Sequence, residues 1–387
     1  MTLVESMFDP AHYAKVRLPT LEAETLPPWC YTSLDFYERE VMRMFKKVWN
    51  FLGRVDEIPN PGDYMTFELF GEPLLVIRDK AGEVRAFANT CRHRGTRILD
   101  GKGNCRVISC PYHSWAYRLN GELIGTPGME KTLNFDKRQY GLIPLRLESW
   151  DGFLFVNFDR NADSLQDYLG NLPGKLASHR LSDVVCVRRK EYDLACNWKI
   201  YLENAMEEYH TSTVHKTSIG KQTTVPEHSQ GQWDGMHMAS EQTIALLPED
   251  LGSALPRIPS LDGNAAHGTY FLVIYPSTFF AVTQDCMWWL QEFPRGPDCT
   301  KVVIGSCFPR ETVARSDFAE KVEKYYRRWD KSLPEDNTIS ELQQIGIGSS
   351  FSRSGRLSFH EPVVHDIANW VLDHILDVGE RRASGPA

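Results

Sequence analysis

The 387-residue sequence predicts an α+β protein, an antiparallel β module followed by a larger domain of grouped strands and helices. Three observations carry this. From Trp49 to about Asp159 short apolar alternations are broken by turn dipeptides, among them Asn120-Gly121 and Asp151-Gly152, whose residues tolerate positive φ. Beyond Ser164, strand-like runs come together and long helix-period runs follow, the order of an α+β rather than a doubly wound domain. No G-x-G-x-x-G or P-loop pattern, internal repeat or low-complexity tract occurs, so no nicotinamide, flavin or ATP site is evident.

Residues 34–48 read as a helix with Phe36, Val41, Met44 and Phe45 near one face. In the β module, strands at 74–77 and 84–88 flank a turn at 79–82. Strands at 116–119 and 123–124 flank Asn120-Gly121. In the second block helices are expected at about 198–212, 317–331, 337–345 and 361–378. Strands are expected at 270–275, 279–283, 287–293 and 300–307. Residues 216–266, rich in polar residues, Gly and Pro, read as a long cover segment.

A formal net charge of −8 argues against a nucleic-acid surface, which needs clustered Lys and Arg. No run of about 18 apolar residues is present, so no transmembrane helix is expected. The first ten residues lack a basic-then-apolar leader pattern, which makes the cytoplasm the expected compartment. The nine cysteines, an odd number in a long chain, read as reduced thiols or metal ligands.

The first candidate site is Cys91-Arg92-His93 followed by Cys110-Pro111-Tyr112-His113. Each clip offers one thiolate and one imidazole at the tip of a hairpin module. A four-ligand zinc site is the alternative, but zinc clips group like ligands, as in C-x2-C. Mixed clips suit a [2Fe–2S] cluster with two cysteines on one iron and two histidines on the other. C-R-H-R-G at 91–95 and C-P-Y-H-S-W at 110–115 resemble the cluster motif of Rieske proteins, with Gly95 and Pro111 where tight loops are needed. Arg94 and Trp115 fit the ring-hydroxylating oxygenase version of that motif.

The second site lies in Asn197-Trp198-Lys199 through Glu203-Asn204, Glu207-Glu208-Tyr209-His210 and His215. Positions 203, 207 and 210 would share one face of a helix, which could also be a solvated stripe. On an ideal helix His215 stands about 140° from His210, so both can reach one metal only if the helix ends or bulges between them. The pattern resembles the mononuclear iron motif of Rieske oxygenase α-subunits, in which two histidines and a later carboxylate form a facial triad. The resemblance, which runs from about residue 30 to 375, implies His210, His215 and Asp336 as metal ligands, with Glu335 the fallback. An N-cap at the start of a helix is the ordinary alternative for Asp336. It also implies that Glu207 links a cluster histidine, His93 or His113, of one subunit to the iron histidine of its neighbour. Glu208 is the competing candidate. A subset of the family acting on quaternary ammonium compounds is similar in carrying Glu there, where most members have Asp.

On this resemblance the expected fold is a Rieske β-domain (46–160) and an α+β catalytic domain (161–387) with a curved, helix-grip-like antiparallel sheet. Residues 1–45 would pack on the catalytic domain. The implied cofactors are a [2Fe–2S] cluster and a mononuclear Fe(II), with NAD(P)H acting only through a flavin/iron–sulfur reductase or a ferredoxin. The implied assembly is a homotrimer, without nucleic-acid or membrane partners. The implied substrate is a small organic molecule, a quaternary ammonium compound or an aromatic acid, hydroxylated or oxidatively demethylated. Trp233, Tyr270, Phe271, Tyr275, Phe279, Trp288 and Trp289 could furnish aromatic faces for a cation or simply form core. A zinc-stabilised ligand-binding module without redox activity is the reading from another class.

Overall fold

Apolar alternation in the first block builds a sheet from β1 (Asn50–Arg54), β2 (Asp63–Leu69), β3 (Glu72–Arg78), β4 (Val84–Ala88) and β5 (Lys102–Asn104). A small second sheet follows, β6 (Ile108–Ser109), β7 (Ala116–Tyr117) and β8 (Leu123–Gly125), before β9 (Pro144–Trp150) and β10 (Phe153–Asn157) rejoin the first. The large sheet has the order β1-β10-β9-β4-β3-β2-β5. Asp151 and Gly152, at φ 46° and 83°, make the two-residue turn between β9 and β10, the geometry foreseen from Asp-Gly. The computed structural model describes residues 7–376 except His228. The last positions of the helix expected at 361–378 therefore lie outside the described residues.

The second block forms a seven-stranded antiparallel sheet. Its strands are β11 (Val184–Leu194), β12 (Val225–Glu227), β13 (Trp233–Ala239), β14 (Gly268–Ile274), β15 (Thr278–Val282), β16 (Met287–Gly296) and β17 (Cys299–Pro309). β12 to β17 meander in sequence order and β11 closes the edge beside β17. The helices referred to below are α1 (Leu34–Glu40), α2 (Trp198–Ala205), α3 (Thr211–Val214), α4 (Phe318–Ile347) and α5 (Pro362–Ile375).

This sheet is buried on both faces, and the period-2 alternation of its side chains decides which core each residue joins. Phe271, Val273, Phe279, Ala281, Trp288 and Leu290 pack with the helices and with the N-terminal residues Tyr13, Tyr31 and Phe36. Tyr270, Leu272, Phe280, Val282 and Trp289 pack instead with Phe51, Phe153 and Phe155 of the β module. Five of the seven aromatics singled out in the sequence are thus divided by parity, Phe271, Phe279 and Trp288 on one face and Tyr270 and Trp289 on the other.

Several expected boundaries moved. The helix over 34–48 is α-helical only to Glu40 and continues as a π turn, Val41–Phe45. The segment 216–266 contains β12 and β13 rather than only loops. The helices expected at 317–331 and 337–345 are one, α4, which runs through Pro334. A proline in a helix interior removes a backbone hydrogen bond, yet tertiary contacts hold the helix on its far side. Tyr201 Oη donates to Asn337 Oδ1 at 2.9 Å, and Gln344 Oε1 accepts from the Asn197 amide at 2.8 Å.

The Asn-Trp-Lys motif starts α2. Asn197 caps it by accepting from the Lys199 amide at 3.1 Å. Lys199 Nζ donates to Glu40 Oε1 at 2.7 Å with both side chains fully buried, and Trp198 Nε1 donates to Glu40 Oε2 at 3.2 Å. Removing one partner leaves a buried, unpaired charge, so Lys199→Met is expected to cost about 3–5 kcal/mol. Urea denaturation checks this, and Glu40→Gln added to Lys199→Met should recover part of the loss. No recovery would mean that the pair is not what holds α1 on α2.

Candidate metal centres and the adjoining cavity

The two clips stand at the tips of adjacent loops of the β module. Gly95, at φ 76°, turns the first, and its amide donates to the Cys91 carbonyl at 2.9 Å. The second is closed by the Ser114 amide on the Cys110 carbonyl at 3.0 Å and by the Cys110 amide on the Trp115 carbonyl at 2.8 Å. Cys91 and Cys110 are buried, 4% and 3% exposed, whereas His93 is exposed and His113 half-buried. The imidazole centroids are 4.8 Å apart, and His93 stacks on Trp115 at 4.9 Å. The sulfurs thus lie inward and the imidazoles face outward. Tyr117, not foreseen from the sequence, accepts from the Arg92 amide at 3.0 Å and lies 3.4 Å from Cys91 Sγ. With its oxygen engaged by that amide, its own proton is free to point at the sulfur.

The second centre depends on a helix that stops. α2 ends at Ala205, and Met206 to His210 make a turn before the short α3. This break is the condition that the 140° offset between the histidines demanded. His210 and His215 now face each other with ring centroids 5.1 Å apart. Asp336, on α4, completes a group whose donor atoms all lie within 4.8 Å of one another, the one such group of His, Cys, Asp and Glu found among the described residues. Asp336 sits inside a continuous helix and is no N-cap. Its Oδ1 lies 3.0 Å from His215 Nε2 and 3.5 Å from His210 Nε2. Neither approach has hydrogen-bond geometry, so this buried oxygen has no hydrogen-bond partner. A carboxylate oxygen and two imidazole nitrogens converging in that way form a donor set that a divalent cation satisfies.

The other carboxylates surround that set. Glu335 Oε2 lies 2.7 Å from His215 Nδ1 and accepts from Ser218 Oγ at 2.6 Å. It therefore orients His215 from behind and does not compete with Asp336. Burial alone would lower the His215 pKa, but Asp336 and Glu335 outweigh it and raise the value above that of ordinary imidazole. Glu207 Oε1 lies 2.7 Å from His210 Nδ1, and its Oε2 accepts the His210 amide at 3.0 Å. Glu208 is engaged elsewhere, with Thr224 Oγ1 at 2.6 Å and His360 Nδ1 at 2.7 Å. Glu203 does not share a face with His210. It lies within α2, bound by Tyr31 Oη at 2.9 Å.

A cavity of about 90 Å³ opens onto His210, His215 and Asp336. Phe271, Phe279, Trp288 and Leu290 from the sheet and Arg328 and Ser332 from α4 line it. Of the seven aromatics singled out, only these three border it. Tyr270 and Trp289 face the β module, Trp233 is buried with them, and Tyr275 stacks on Trp370 at 4.6 Å. Parity along the strands could have separated Phe271 from Tyr270 and Trp288 from Trp289. Arg328 and Ser332 stand eight and four residues before Asp336, a helical spacing that points them to the same face.

Residues 48–144 match the Rieske [2Fe-2S] domain family, and residues 181–377 match the ring hydroxylating alpha subunit (catalytic domain) family. The chain is 32% identical over 347 residues to the carnitine monooxygenase oxygenase subunit of Escherichia coli (strain K12), covering 87% of this chain and 88% of that one. It is 27% identical to the glycine betaine monooxygenase oxygenase subunit of Pseudomonas aeruginosa (strain PAO1), covering 93% and 91%. A solved quaternary ammonium Rieske monooxygenase, described in terms of carnitine oxidation and inter-subunit electron transfer, superposes with a TM-score of 0.79 at 26% identity, covering 93% of this chain and 97% of that one. With both domain families matched and a relative above 30% identity over most of its length, the chain belongs to the Rieske non-haem iron oxygenase α-subunits.

Proposed function

We propose that this oxygenase component oxidises a small quaternary ammonium compound or an aromatic acid, with residues 46–160 as its cluster module, residues 161–387 as its iron domain and residues 1–45 as a segment belonging with the iron domain. Cys91, Cys110, His93 and His113 would hold a [2Fe–2S] cluster, and His210, His215 and Asp336 a mononuclear iron. When bound, the cluster supplies single electrons and the iron supplies O2 activation. The observation that carries the reading is the convergence of His210, His215 and the unpartnered Asp336 oxygen at the head of an aromatic-lined cavity.

The chain's own residues then have distinct tasks. Glu335, held by Ser218, accepts the Nδ1 proton of His215 and so leaves Nε2 as the donor towards the site. Glu207 does the same for His210. Tyr117 donates to Cys91 Sγ and withdraws negative charge from it, which favours reduction of a cluster held there. Phe271, Phe279, Trp288 and Leu290 keep one wall apolar and limit water beside the reacting carbon.

A separate reductase or ferredoxin supplies the electrons, since the chain carries no evident nicotinamide or flavin motif. The exposed side of His93 and the half-buried His113 support a homotrimer in which each cluster module meets its neighbour's Glu207. None of the nine cysteines is in a disulfide, which supports a reducing compartment such as the cytoplasm. Among the described residues no helix is long and apolar enough to cross a membrane.

Metal analysis and coupled oxygen uptake test this reading together. The purified chain should carry three irons and, with a reductase, consume NADH and O2 when given a quaternary ammonium compound or an aromatic acid. Asp336→Ala should lower the count to two, keep the cluster spectrum and abolish turnover. A colourless protein containing zinc would overturn the proposal.

A further inference from the structure

Three cationic side chains are buried among the described residues, and two of them have carboxylate partners. Arg54 Nε pairs with Asp56 at 2.7 Å, and Lys199 pairs with Glu40. Arg328, 5% exposed, has no carboxylate of the described residues within ion-pair distance. Its Nε donates to the Ile244 carbonyl at 3.0 Å and its Nη1 to Ser332 Oγ at 3.4 Å. Its Cζ lies 5.0 Å from the centre of the Trp288 ring. Five N–H donors meet only two acceptors, and the guanidinium borders the same cavity as His210, His215 and Asp336. Burial pulls its pKa down to about 10, and Asp336 and Cys286 act against the fall. It is therefore charged at neutral pH.

A buried charge without a counter-ion is costly to fold and is stabilised when an anion reaches it. The guanidinium fork is shaped for two parallel hydrogen bonds to a carboxylate. Arg328, Ser332 and Asp336 follow one another at intervals of four along one face of α4. The backbone positions of the anchor and the candidate metal ligand are therefore about 12 Å apart along the helix axis. Their positions set an anion-binding end and a reacting end, with Trp288 beside the first.

We infer that Arg328, helped by Ser332, binds a carboxylate of the substrate and thereby orients the opposite end of the molecule towards His210, His215 and Asp336. Arg328 is then the residue that decides substrate class. A carboxylate-bearing molecule, zwitterionic or aromatic, is accepted. A cation of the same size that lacks a carboxylate meets an unneutralised guanidinium and is rejected. This rests on the cavity being the active site.

The test is calorimetric binding to the anaerobic resting holoenzyme, using matched pairs that differ in the carboxylate: glycine betaine against choline, and benzoate against benzamide. At least one carboxylate should bind better than its partner. Arg328→Gln should weaken that carboxylate by about 100-fold and change the partner by less than about threefold, with iron content and visible spectrum retained. Arg328→Lys keeps the charge without the fork and should fall between the two. If Arg328→Gln does not retain its metals, Arg328→Lys decides alone, by weakening the carboxylate and not its partner. The inference is overturned if neither carboxylate binds, if carboxylates bind no better than their partners, or if the variant weakens both members of a pair alike. A protein without cluster absorption would instead overturn the metal assignments, a result independent of the carboxylate preference.

Discussion

Cys91→Ser and His113→Ala are each expected to abolish the visible absorption and the electron paramagnetic signal of the cluster and to lower iron from three per chain to one. In the proposed ligand set each clip would give one sulfur and one nitrogen, so losing either residue would leave an iron short of a ligand and the cluster unable to assemble. Cys91 is buried beside Tyr117, and a serine hydroxyl there replaces a thiolate with a neutral, harder donor. His113 is half-buried at a loop tip, so its loss should leave the fold intact and serves as the cleaner of the two variants. Turnover should fall to background in both, since electrons no longer reach the second centre. The single iron left per chain should remain with His210, His215 and Asp336, which stand on another domain. A variant retaining the full spectrum would remove that residue from the ligand set.

Much of this site is legible in the chain because chemistry constrains spacing. Two mixed clips within 23 residues have few uses, and Gly95 reports its positive φ through its identity. The β module was readable for the same reason, since its turns require residues such as Asp151-Gly152. What was not legible depends on contacts distant in sequence. Pro334 argued for a helix boundary, but contacts from Asn197 and Tyr201 carry α4 across it, and Asp336 became a mid-helix residue instead of a cap. Helix α2 stops at Ala205, although the pattern ran on to 212. Its end coincides with the Glu207 carboxylate folding back on the His210 amide. Between Glu207 and its neighbour Glu208, spacing to His210 favours Glu207 without excluding Glu208. In the structure Thr224 and His360 occupy Glu208, while Glu207 faces His210.

Glu207→Gln is expected to leave cluster and iron contents unchanged while lowering turnover by two or more orders of magnitude. The carboxylate already accepts from the His210 amide through Oε2 and meets His210 Nδ1 through Oε1, and each oxygen has a further lone pair. A carboxamide has one accepting end and one donating end. It must lose the amide or the imidazole contact, or force His210 into the other tautomer, and it offers a poorer acceptor to a histidine arriving from a neighbouring chain. Iron should stay bound, because Nε2 of His210, Nε2 of His215 and Asp336 are untouched. Loss of iron in this variant would make Glu207 a ligand, and unchanged turnover would move the link to another residue. Mixing variants tests whether the link crosses between subunits. His113→Ala lacks a working cluster and Glu207→Gln lacks a working acceptor, so each is inactive alone. In a closed ring of three with one heterologous interface per pair, random mixing of equal amounts places a Glu207→Gln donor before a His113→Ala acceptor at about one quarter of interfaces. About one quarter of the wild-type rate should therefore return after the two are unfolded and refolded together or co-expressed. If the link lies within one chain, no such recovery is possible at any mixing ratio, because neither variant then holds both a working cluster and a working Glu207.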